Sequence, residues 1–253
     1  MEFVPEDPSL FRLAIHALKE FLPQAQMHIS ANGVRIRGMD SSHVCFVDYY
    51  LAKADCKSLK VDGDDIVIGV STTILSQILA AIGITPASSS DIHLVCRIQD
   101  TKELQDKLLI SYTNEKQAKN GEFEIQLLDI SEDSIGLPDI TYSGTLRTNT
   151  TDICTAVKEV SFFGDSIGMR LDENGFHISA SGDYGKVKQT LEPTDKRVME
   201  LSNDGVEALY STRYIVQIMK GGSVLSDSMQ FDFDEEYPLR ASFQFGKASY
   251  YNA

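Results

Sequence analysis

Four segments of the chain place apolar residues three or four positions apart, which is helical spacing. The first spans residues 8–22, with Asp7 before it and Pro8 in the first turn, both typical of a helix start. Each segment carries one apolar face and one polar face, so we predict four amphipathic helices with one buried side each. The other three cover residues 72–82, 151–162 and 212–220.

Most of the remaining chain alternates apolar and polar residues with a period of two, which indicates half-buried strands. Clear examples are residues 91–96, 107–112 and 230–233. Loops are predicted at residues 86–90 and 114–121, where Pro, Ser, Asn and Gly are frequent. The sequence therefore predicts an α+β protein in which two helices accompany many short strands in each half.

An internal repeat organises the chain. Residues 27–36 and 169–178 share a Met, an Asn-Gly pair and alternating apolar positions, all in step. An Asn-Gly pair between alternating runs is a strong signal for a two-residue hairpin turn. Residues 71–79 also match residues 211–219, at nearly the same separation along the chain. Two separate matches at nearly one separation indicate duplicated domains.

We place the two domains at residues 1–126 and 143–253, with a connector at residues 127–142. The connector is acidic and contains Gly and Pro, as expected of an exposed inter-domain segment. Three apolar residues interrupt it: Ile135, Leu137 and Pro138.

The 253 residues include 37 acids and 23 Lys or Arg, and the net charge is −14. This is the wrong sign for a protein that coats nucleic acid by bulk electrostatics.

No apolar run is long enough to cross a bilayer, and the first residues lack the features of a signal peptide. We therefore expect an intracellular protein without membrane contact. The four cysteines lie far apart without a Cys-x-x-Cys pair, and we expect reduced core thiols.

Opposite the apolar face of each predicted helix, positions spaced i, i+4 and i+7 share one polar face. These positions hold no acid, although the chain as a whole is acidic. Two interpretations fit these faces. They are ordinary solvated side chains, or they form a segregated positive surface that contacts DNA weakly, without sequence preference and with strong salt dependence. The basic residues and the histidine on these faces are Arg12, His16, Lys19, Lys158, Arg213 and Lys220.

Motifs of known catalytic sites are missing from the sequence: there is no P-loop, no Gly-x-Ser-x-Gly, no His-Glu-x-x-His and no EF-hand loop, and the five histidines are scattered. Two carboxylate groups, at residues 62–65 and 232–236, are candidates for metal binding, but solvated turns and strand ends explain them more simply. We predict a protein that is not an enzyme and uses no metal or cofactor.

The run MDSSHV at residues 39–44 resembles the hallmark segment of the proliferating cell nuclear antigen family, the eukaryotic-type DNA sliding clamps. The resemblance implies the DNA clamp fold: two similar domains, each with two helices packed on antiparallel sheets, and three subunits closed head to tail into a ring. Helices would line the hole, with the six residues above facing duplex DNA. Further similarity, in the family's order, lies at residues 127–129, 135–138, 142–143, 176–182, 237–239 and 250–253.

The same resemblance implies a pocket below the connector for partner peptides of the PIP type, in which a Gln precedes aliphatic and aromatic anchors. DNA polymerase, clamp loader, flap endonuclease and DNA ligase are the implied partners. Without the resemblance, Met39, Val44 and Phe46 are explained more simply as core residues of a sheet. The matching positions are Met39, His43, Val44, Phe46, Ile135, Leu137, Pro138, Pro238, Tyr251 and Ala253.

Residues 122–127 resemble the family's edge strand, which pairs with the neighbouring subunit. Phe123 and Ile125 would contribute this side of the interface. The opposite side would use Val160, Phe163, Ser179, Gly182 and Gly185.

The resemblance implies a homotrimeric clamp in the nucleus that serves DNA replication as a processivity factor and recruits repair proteins. The alternative is one subunit of a checkpoint-type heterotrimeric clamp. Gln77, Ala80 and Thr155 stand where relatives commonly carry Lys or Arg, so we expect a less basic hole. Glu173 stands where eukaryotic members usually present the lysine that receives ubiquitin, so we do not expect that modification at this position.

Overall fold

The computed structural model describes residues 1–61, 63–98, 107–130, 140–194, 196–201 and 205–253. The chain divides into two compact units. The first unit is Met1–Ile135 with Phe245–Tyr251, and the second is Gly136–Gln244 with Asn252–Ala253. Among the described residues, no helix is long and apolar enough to span a membrane.

The first unit packs helix α1 (Pro8–Leu18) against helix α2 (Thr72–Ala81). Its antiparallel strands form one sheet in the order β5-β1-β7-β8-β9 and a second in the order β18-β4-β3-β2-β6. The strands are β1 (Glu2–Pro5), β2 (Ala25–Ser30), β3 (Gly33–Met39), β4 (Phe46–Ala52), β5 (Cys56–Lys60), β6 (Ile66–Val70), β7 (Ile92–Arg97), β8 (Lys107–Asn114), β9 (Lys119–Gln126) and β18 (Ser249–Asn252).

The second unit packs helix α3 (Thr150–Val160) against helix α4 (Thr212–Gly222). Its sheets have the orders β14-β10-β16-β17 and β13-β12-β11-β15, and the rings of Phe176, Phe231 and Phe233 pack together in its core. The strands are β10 (Gly144–Asn149), β11 (Ser166–Asp172), β12 (Gly175–Gly182), β13 (Gly185–Leu191), β14 (Val198–Leu201), β15 (Val206–Ser211), β16 (Ser228–Phe233) and β17 (Arg240–Phe245).

The order of elements repeats along the chain. A strand and a helix are followed by five strands, a second helix and three strands, first from β1 to β9 and again from β10 to β18. The helices repeat at the separations predicted from the sequence. The starts of α1 and α3 are as far apart as residues 27 and 169, and the starts of α2 and α4 are as far apart as residues 71 and 211. The predicted α+β class and the duplication are confirmed.

The helices begin within a residue of the predicted starts. The helices α1, α2 and α3 end before their predicted ends, and α4 continues past its predicted end to Gly222. The Asp7 carboxylate caps α1 by accepting from the backbone N–H of Ser9 at 2.8 Å. This helix ends at Leu18 and does not include Leu22, because Pro23 follows Leu22 and a residue before proline avoids the helical region. The α3 helix ends at Val160, which leaves Phe162 70% exposed.

Both predicted Asn-Gly hairpins form, but the glycine is the first residue of the returning strand. Ser30 pairs with Gly33, and Asp172 pairs with Gly175, so the two-residue turns are residues 31–32 and 173–174. Gly175 has a φ of +142°, and a Cβ on Gly33 would lie 2.4 Å from the carbonyl oxygen of Leu51. Each position therefore requires glycine for a steric reason.

The predicted loop at residues 114–121 is wrong. The β8 strand continues to Asn114 and β9 begins at Lys119, so only a tight turn separates them. The Asn114 side-chain oxygen accepts from the backbone N–H of Gln117 at 3.0 Å and supports this turn. Polar residues at the start of β9 are tolerated because this outer strand is largely exposed.

The four cysteines form no disulfide. Burial raises the pKa of the Cys45 thiol to about 12 and that of the Cys56 thiol to about 11. Both thiols are therefore protonated and poorly nucleophilic at neutral pH.

Asp55 fastens the turn that leads into β18. Its carboxylate accepts from the N–H of Lys247 at 2.6 Å, the N–H of Ala248 at 2.9 Å and the hydroxyl of Ser249 at 2.7 Å. Burial alone would raise the pKa of Asp55, but these hydrogen bonds outweigh burial and hold it below its ordinary value. Asp55 thus stabilises the segment that places β18 beside β4.

Replacing Asp55 by Ala leaves three donors without this acceptor, one of them the buried hydroxyl of Ser249, and should lower the free energy of unfolding by about 2 kcal/mol. Chemical denaturation measures this loss. Because the folded pKa is depressed, the stabilisation is present above the unfolded value of about 3.9 and is lost as the pH falls further. The difference between wild type and Asp55→Ala should therefore narrow below about pH 4.

The matched control is Asp65→Ala, which removes an exposed carboxylate and should change stability by no more than about 0.5 kcal/mol. Equal losses for the two variants, or a difference that widens on acidification, would contradict the role of Asp55.

Candidate functional site

The first unit exposes few cations on its helices. His16 is exposed, with Nδ1 3.5 Å from the hydroxyl of Ser76 on α2, and Arg12 is half-buried. Lys19 follows the last turn of α1, where its ammonium lies 3.9 Å from the carboxylate of Glu20. This neighbouring acid offsets part of the charge of Lys19.

The α2 helix contributes a neutral surface. It has no charged residue between Thr72 and Ala81, and its exposed side chains are Ile74, Gln77, Ala80 and Ala81. The absence of cations at Gln77 and Ala80 is read directly from the sequence, whereas the 44% exposure of Ile74 has no simple sequence signal.

The second unit presents the more basic helices. Lys158 on α3 and both Arg213 and Lys220 on α4 are exposed. The guanidinium of Arg213 lies 5.8 Å from the ring centre of Tyr214, a favourable cation–π distance. Glu159, beside Lys158, accepts a hydrogen bond from the amide of Gln189 on β13, so one acid accompanies these three cations.

A rigid loop at residues 40–45 presents two of the predicted pocket residues. The Asp40 carboxylate accepts from the N–H groups of Val44 and Cys45, both at 2.8 Å, and from that of Ser42 at 3.2 Å. His43 has a φ of +54°, an uncommon conformation for a residue with a Cβ. These constraints make His43 and Val44 project, and Val44 is 61% exposed.

The β3–β4 pair places two more pocket residues at the base of this loop, because Met39 pairs with Phe46 and both are half-buried. A cleft of about 230 Å³ adjoins them. Met39 and His43 border it, together with residues that the sequence did not indicate: Leu22, Gln26, Arg37 and Ile130. The Gln26 amide donates to the carbonyl of Ile130 at 2.9 Å. This contact joins residues 104 positions apart, so no local pattern predicts it.

The other predicted pocket residues have different environments. Tyr251 is fully buried in the first unit, so our prediction that it lines an accessible surface is corrected: it supports the sheet from within. In the second unit Pro238 is exposed, and Ala253 pairs with Ala241 through two backbone hydrogen bonds of 2.7 and 2.9 Å. Three predicted residues lie outside the described residues: Ile135, Leu137 and Pro138.

Two sheet edges bear on the predicted interface. In the described part of the chain β9 and β13 are each the outermost strand of a sheet, as are β5, β6, β14 and β15. Ser179 and Gly182 lie on β12, which is paired on both sides, so our prediction of the strand around residues 179–185 shifts to β13, which begins at Gly185. Ile125 and Val160 are buried and form part of the core of their own units.

The exposed residues of these two edges differ in charge. Glu122 and Glu124 are exposed on β9, whereas Lys186 and Lys188 are exposed on β13. Half-buried apolar residues alternate with them: Phe123, which stacks on Tyr112 at 6.2 Å, and Val187. Phe163 is also half-buried. We did not predict Lys186 and Lys188 as interface residues, because apolar and polar residues alternate too weakly in β13 to indicate an edge strand.

The carboxylates considered as metal ligands at residues 232–236 are engaged in protein hydrogen bonds. Asp232 accepts from Arg240 at 2.8 Å and from Thr145 at 2.8 Å, and Asp234 accepts from Ser143 at 2.5 Å. These partners explain both carboxylates without a metal ion.

The carboxylate group at residues 62–65 lies in a turn. Asp64 and Asp65 are exposed, and Asp62 lies outside the described residues. In the part of the chain that the structure describes, no group of three or more His, Cys, Asp or Glu residues is arranged to hold a metal ion. Glu173 is exposed in its hairpin turn.

Comparison with known proteins accounts for both units. Residues 1–135 match the family model described as the proliferating cell nuclear antigen N-terminal domain, and residues 136–253 match that of its C-terminal domain. The chain is also 24% identical to the proliferating cell nuclear antigen of Chaetomium thermophilum over 252 residues, which cover 97% of this chain and 93% of the relative. The chain therefore belongs to the proliferating cell nuclear antigen family of non-enzymatic DNA sliding clamps.

Proposed function

We propose that the chain forms a homotrimeric ring that encircles duplex DNA and acts as the processivity factor of a DNA polymerase. The observation that carries this proposal is the pairing of β18 with β4 in the first unit. In the repeated order of elements, β18 is the counterpart of β9 and β4 is the counterpart of β13. The chain thus already contains one contact of the kind that the open edges of β9 and β13 would make between subunits.

The residues on the two edges support a contact between copies of the same chain. Strand pairing would extend both sheets, with the acids of β9 (Glu122, Glu124) beside the lysines of β13 (Lys186, Lys188) on the exposed face. On the other face Phe123 would meet Val187 and Phe163. Each copy contributes one edge of each kind, so the association is head to tail and closes as a ring when the rotation is threefold, as the family resemblance implies.

A checkpoint-type heterotrimer is the second candidate. In such an assembly the edges of one chain have to fit two different partners. Both complementary edges occur on this one chain, which favours the homotrimer.

Duplex DNA would pass along the helices, with Lys158, Arg213 and Lys220 as the principal contacts and Arg12, His16 and Lys19 as lesser ones. An ion pair with a phosphate requires a cation, and α2 has none between Thr72 and Ala81. Electrostatic affinity would therefore be modest, and closure of the ring would retain the clamp on DNA.

Replication and repair proteins would bind the first unit at the surface formed by Met39, His43, Val44 and Phe46. Exposed apolar side chains on a pre-formed loop suit a short helical peptide with aliphatic and aromatic anchors. We include DNA polymerase, clamp loader, flap endonuclease and DNA ligase among the partners, and we place the protein in the nucleus with them.

Charge reversal on one edge tests the ring. Lys186→Glu with Lys188→Glu would set acids against Glu122 and Glu124 and should weaken association about tenfold to a hundredfold, because like charges on neighbouring strands repel. Light scattering should give about 84 kDa for the wild type, three times 28.0 kDa, and a lower mass for the variant. Adding Glu122→Lys and Glu124→Lys to the same chain should restore the trimer.

The matched control is Lys158→Glu with Lys220→Glu, the same charge change on the helices, which should leave the mass unchanged. A wild-type chain that stays monomeric at micromolar concentration contradicts the homotrimer. A trimer that tolerates Lys186→Glu with Lys188→Glu contradicts the edge assignment.

The DNA-facing assignment predicts a change in salt dependence. Replacing Lys158, Arg213 and Lys220 by Ala should reduce the slope of log affinity for linear duplex against log salt by about one for each phosphate that is no longer bound. Retention on closed circular DNA after loading should change little, because the circle has no end to leave by. The control is Lys53→Ala with Lys57→Ala, which removes exposed lysines elsewhere. A slope that is unchanged by the three helix substitutions would reject the assignment.

The partner surface is tested at Val44. Val44→Asp places a charge where a peptide anchor would bury apolar area and should lower affinity for an anchor peptide about a hundredfold, measured by fluorescence anisotropy. Val67→Asp is the matched control, since Val67 is also an exposed valine of the first unit, on the outer strand β6. Equal affinity of the two variants would count against the surface.

A further inference from the structure

The cleft beside Met39 has one basic wall. Apolar atoms come from Leu22, Ala25 and Met39, and the opposite side carries Gln26 and Arg37, which face each other across the β2–β3 pair. The volume of about 230 Å³ admits one or two side chains and not a whole peptide. The cleft therefore suits a residue that flanks the main anchors of a bound segment.

Arg37 has no hydrogen-bond or ion-pair partner among the residues that the structure describes, although acids lie near it. Its cross-strand neighbour on β4 is Asp48. Arg35 occupies that carboxylate with two hydrogen bonds, Nε to Oδ1 at 2.8 Å and Nη2 to Oδ2 at 2.5 Å, and the Tyr250 hydroxyl reaches Oδ2 at 3.3 Å. Most acceptor sites of this carboxylate, the nearest internal partner for Arg37, are thus already used by Arg35 and Tyr250.

Two further polar groups of the cleft are engaged: the Asp40 carboxylate accepts three backbone N–H groups of its loop, and the Gln26 amide nitrogen donates to Ile130. Toward the residues that the structure describes, Gln26 keeps its side-chain oxygen as an acceptor and Arg37 keeps its guanidinium as a donor set. A half-buried guanidinium with open donors is best satisfied by a planar carboxylate, which accepts two parallel hydrogen bonds.

We propose that Arg37 is a specificity residue that binds an acidic side chain of the partner segment, next to the apolar anchor that contacts Met39. This inference rests on the proposed partner surface and adds a charge preference to it. The protein carries a net charge of −14, so an acidic segment is repelled by most of its surface. The Arg37 site reverses this preference locally and selects acidic segments over neutral ones.

The strand geometry sets the spacing of the two contacts. Arg37 and Met39 are two residues apart on the same face of β3, about 7 Å along the strand. In a helical segment, residues three or four apart are separated by about 5–6 Å. The acidic residue should therefore lie three or four positions from the aliphatic anchor, on the side away from the loop that carries Val44.

Three synthetic anchor peptides test the proposal, identical except for Glu, Gln or Lys at that position. The wild-type clamp should bind the Glu peptide about tenfold more tightly than the Gln peptide and should bind the Lys peptide most weakly, as expected for one charge-assisted contact. Arg37→Ala should bind the Glu and Gln peptides equally. Arg37→Glu should reverse the order and prefer the Lys peptide.

Lys57→Ala is the matched control, because it removes one exposed positive charge of the first unit that does not line the cleft and should keep the wild-type order. Thermal unfolding of each variant checks that the fold is intact, and Arg37→Lys, which keeps the charge, should retain a reduced preference for Glu. If the ratio of the affinities for the Glu and Gln peptides is the same in wild type and Arg37→Ala, the proposal is overturned. The anchor surface is not affected by that result. A wild-type clamp that binds none of the three peptides overturns the surface and this proposal together.

Discussion

Backbone groups at the open edges of β9 and β13 are the constraint on which the proposed assembly depends. An outer strand offers unpaired N–H and C=O groups that any other strand can satisfy. Inside the chain, β18 pairs with β4. The strands at the equivalent positions of the repeat, β9 and β13, are not paired with each other. Glu122 and Glu124 on two copies of β9 would repel each other, although Glu124 also accepts from Lys107 at 2.5 Å, and Lys186 and Lys188 would do the same for β13. In the proposed assembly unlike edges would attract, which favours head-to-tail association over a symmetric dimer.

Opposite charges are also paired elsewhere on the surface. Several basic side chains are held by acids of the same chain: Arg97 by Glu2, Arg197 by Asp152 and Arg240 by Asp232. The exposed cations of the helices lie on α3 and α4, with neutral α2 in the first unit. A surface of this kind attracts phosphates weakly, which is compatible with sliding, because strong contacts would have to break at every step. In the proposed ring, retention on DNA would depend on the strands that close the ring more than on the helices.

Periodicity was sufficient to predict the repeat, the four helix starts and the Asn-Gly hairpins, because each depends on residues close in sequence. It failed where a distant or steric effect decides the structure. Leu22 belongs to the apolar pattern of α1, but Pro23 prevents the helix from reaching it. Phe162 fits the pattern of α3 and is exposed nevertheless. Ser179 and Gly182 matched the family's interface, but the strand order places β13 outside them. The cleft beside Met39 depends on the contact between Gln26 and Ile130, which no local pattern contains.

The partner surface combines rigid presentation with one uncommitted charge. Asp40 fixes the loop through three hydrogen bonds, so that Val44 and His43 need little ordering when a peptide binds, which lowers the entropic cost of association. Specificity is a difference between affinities, and apolar anchors alone distinguish poorly among segments of similar shape. Arg35 matters here although it lies outside the cleft. By occupying Asp48 through two hydrogen bonds, it favours an Arg37 guanidinium that is available to a partner. In our proposal the charge of the flanking residue then decides between partners that share the same anchors.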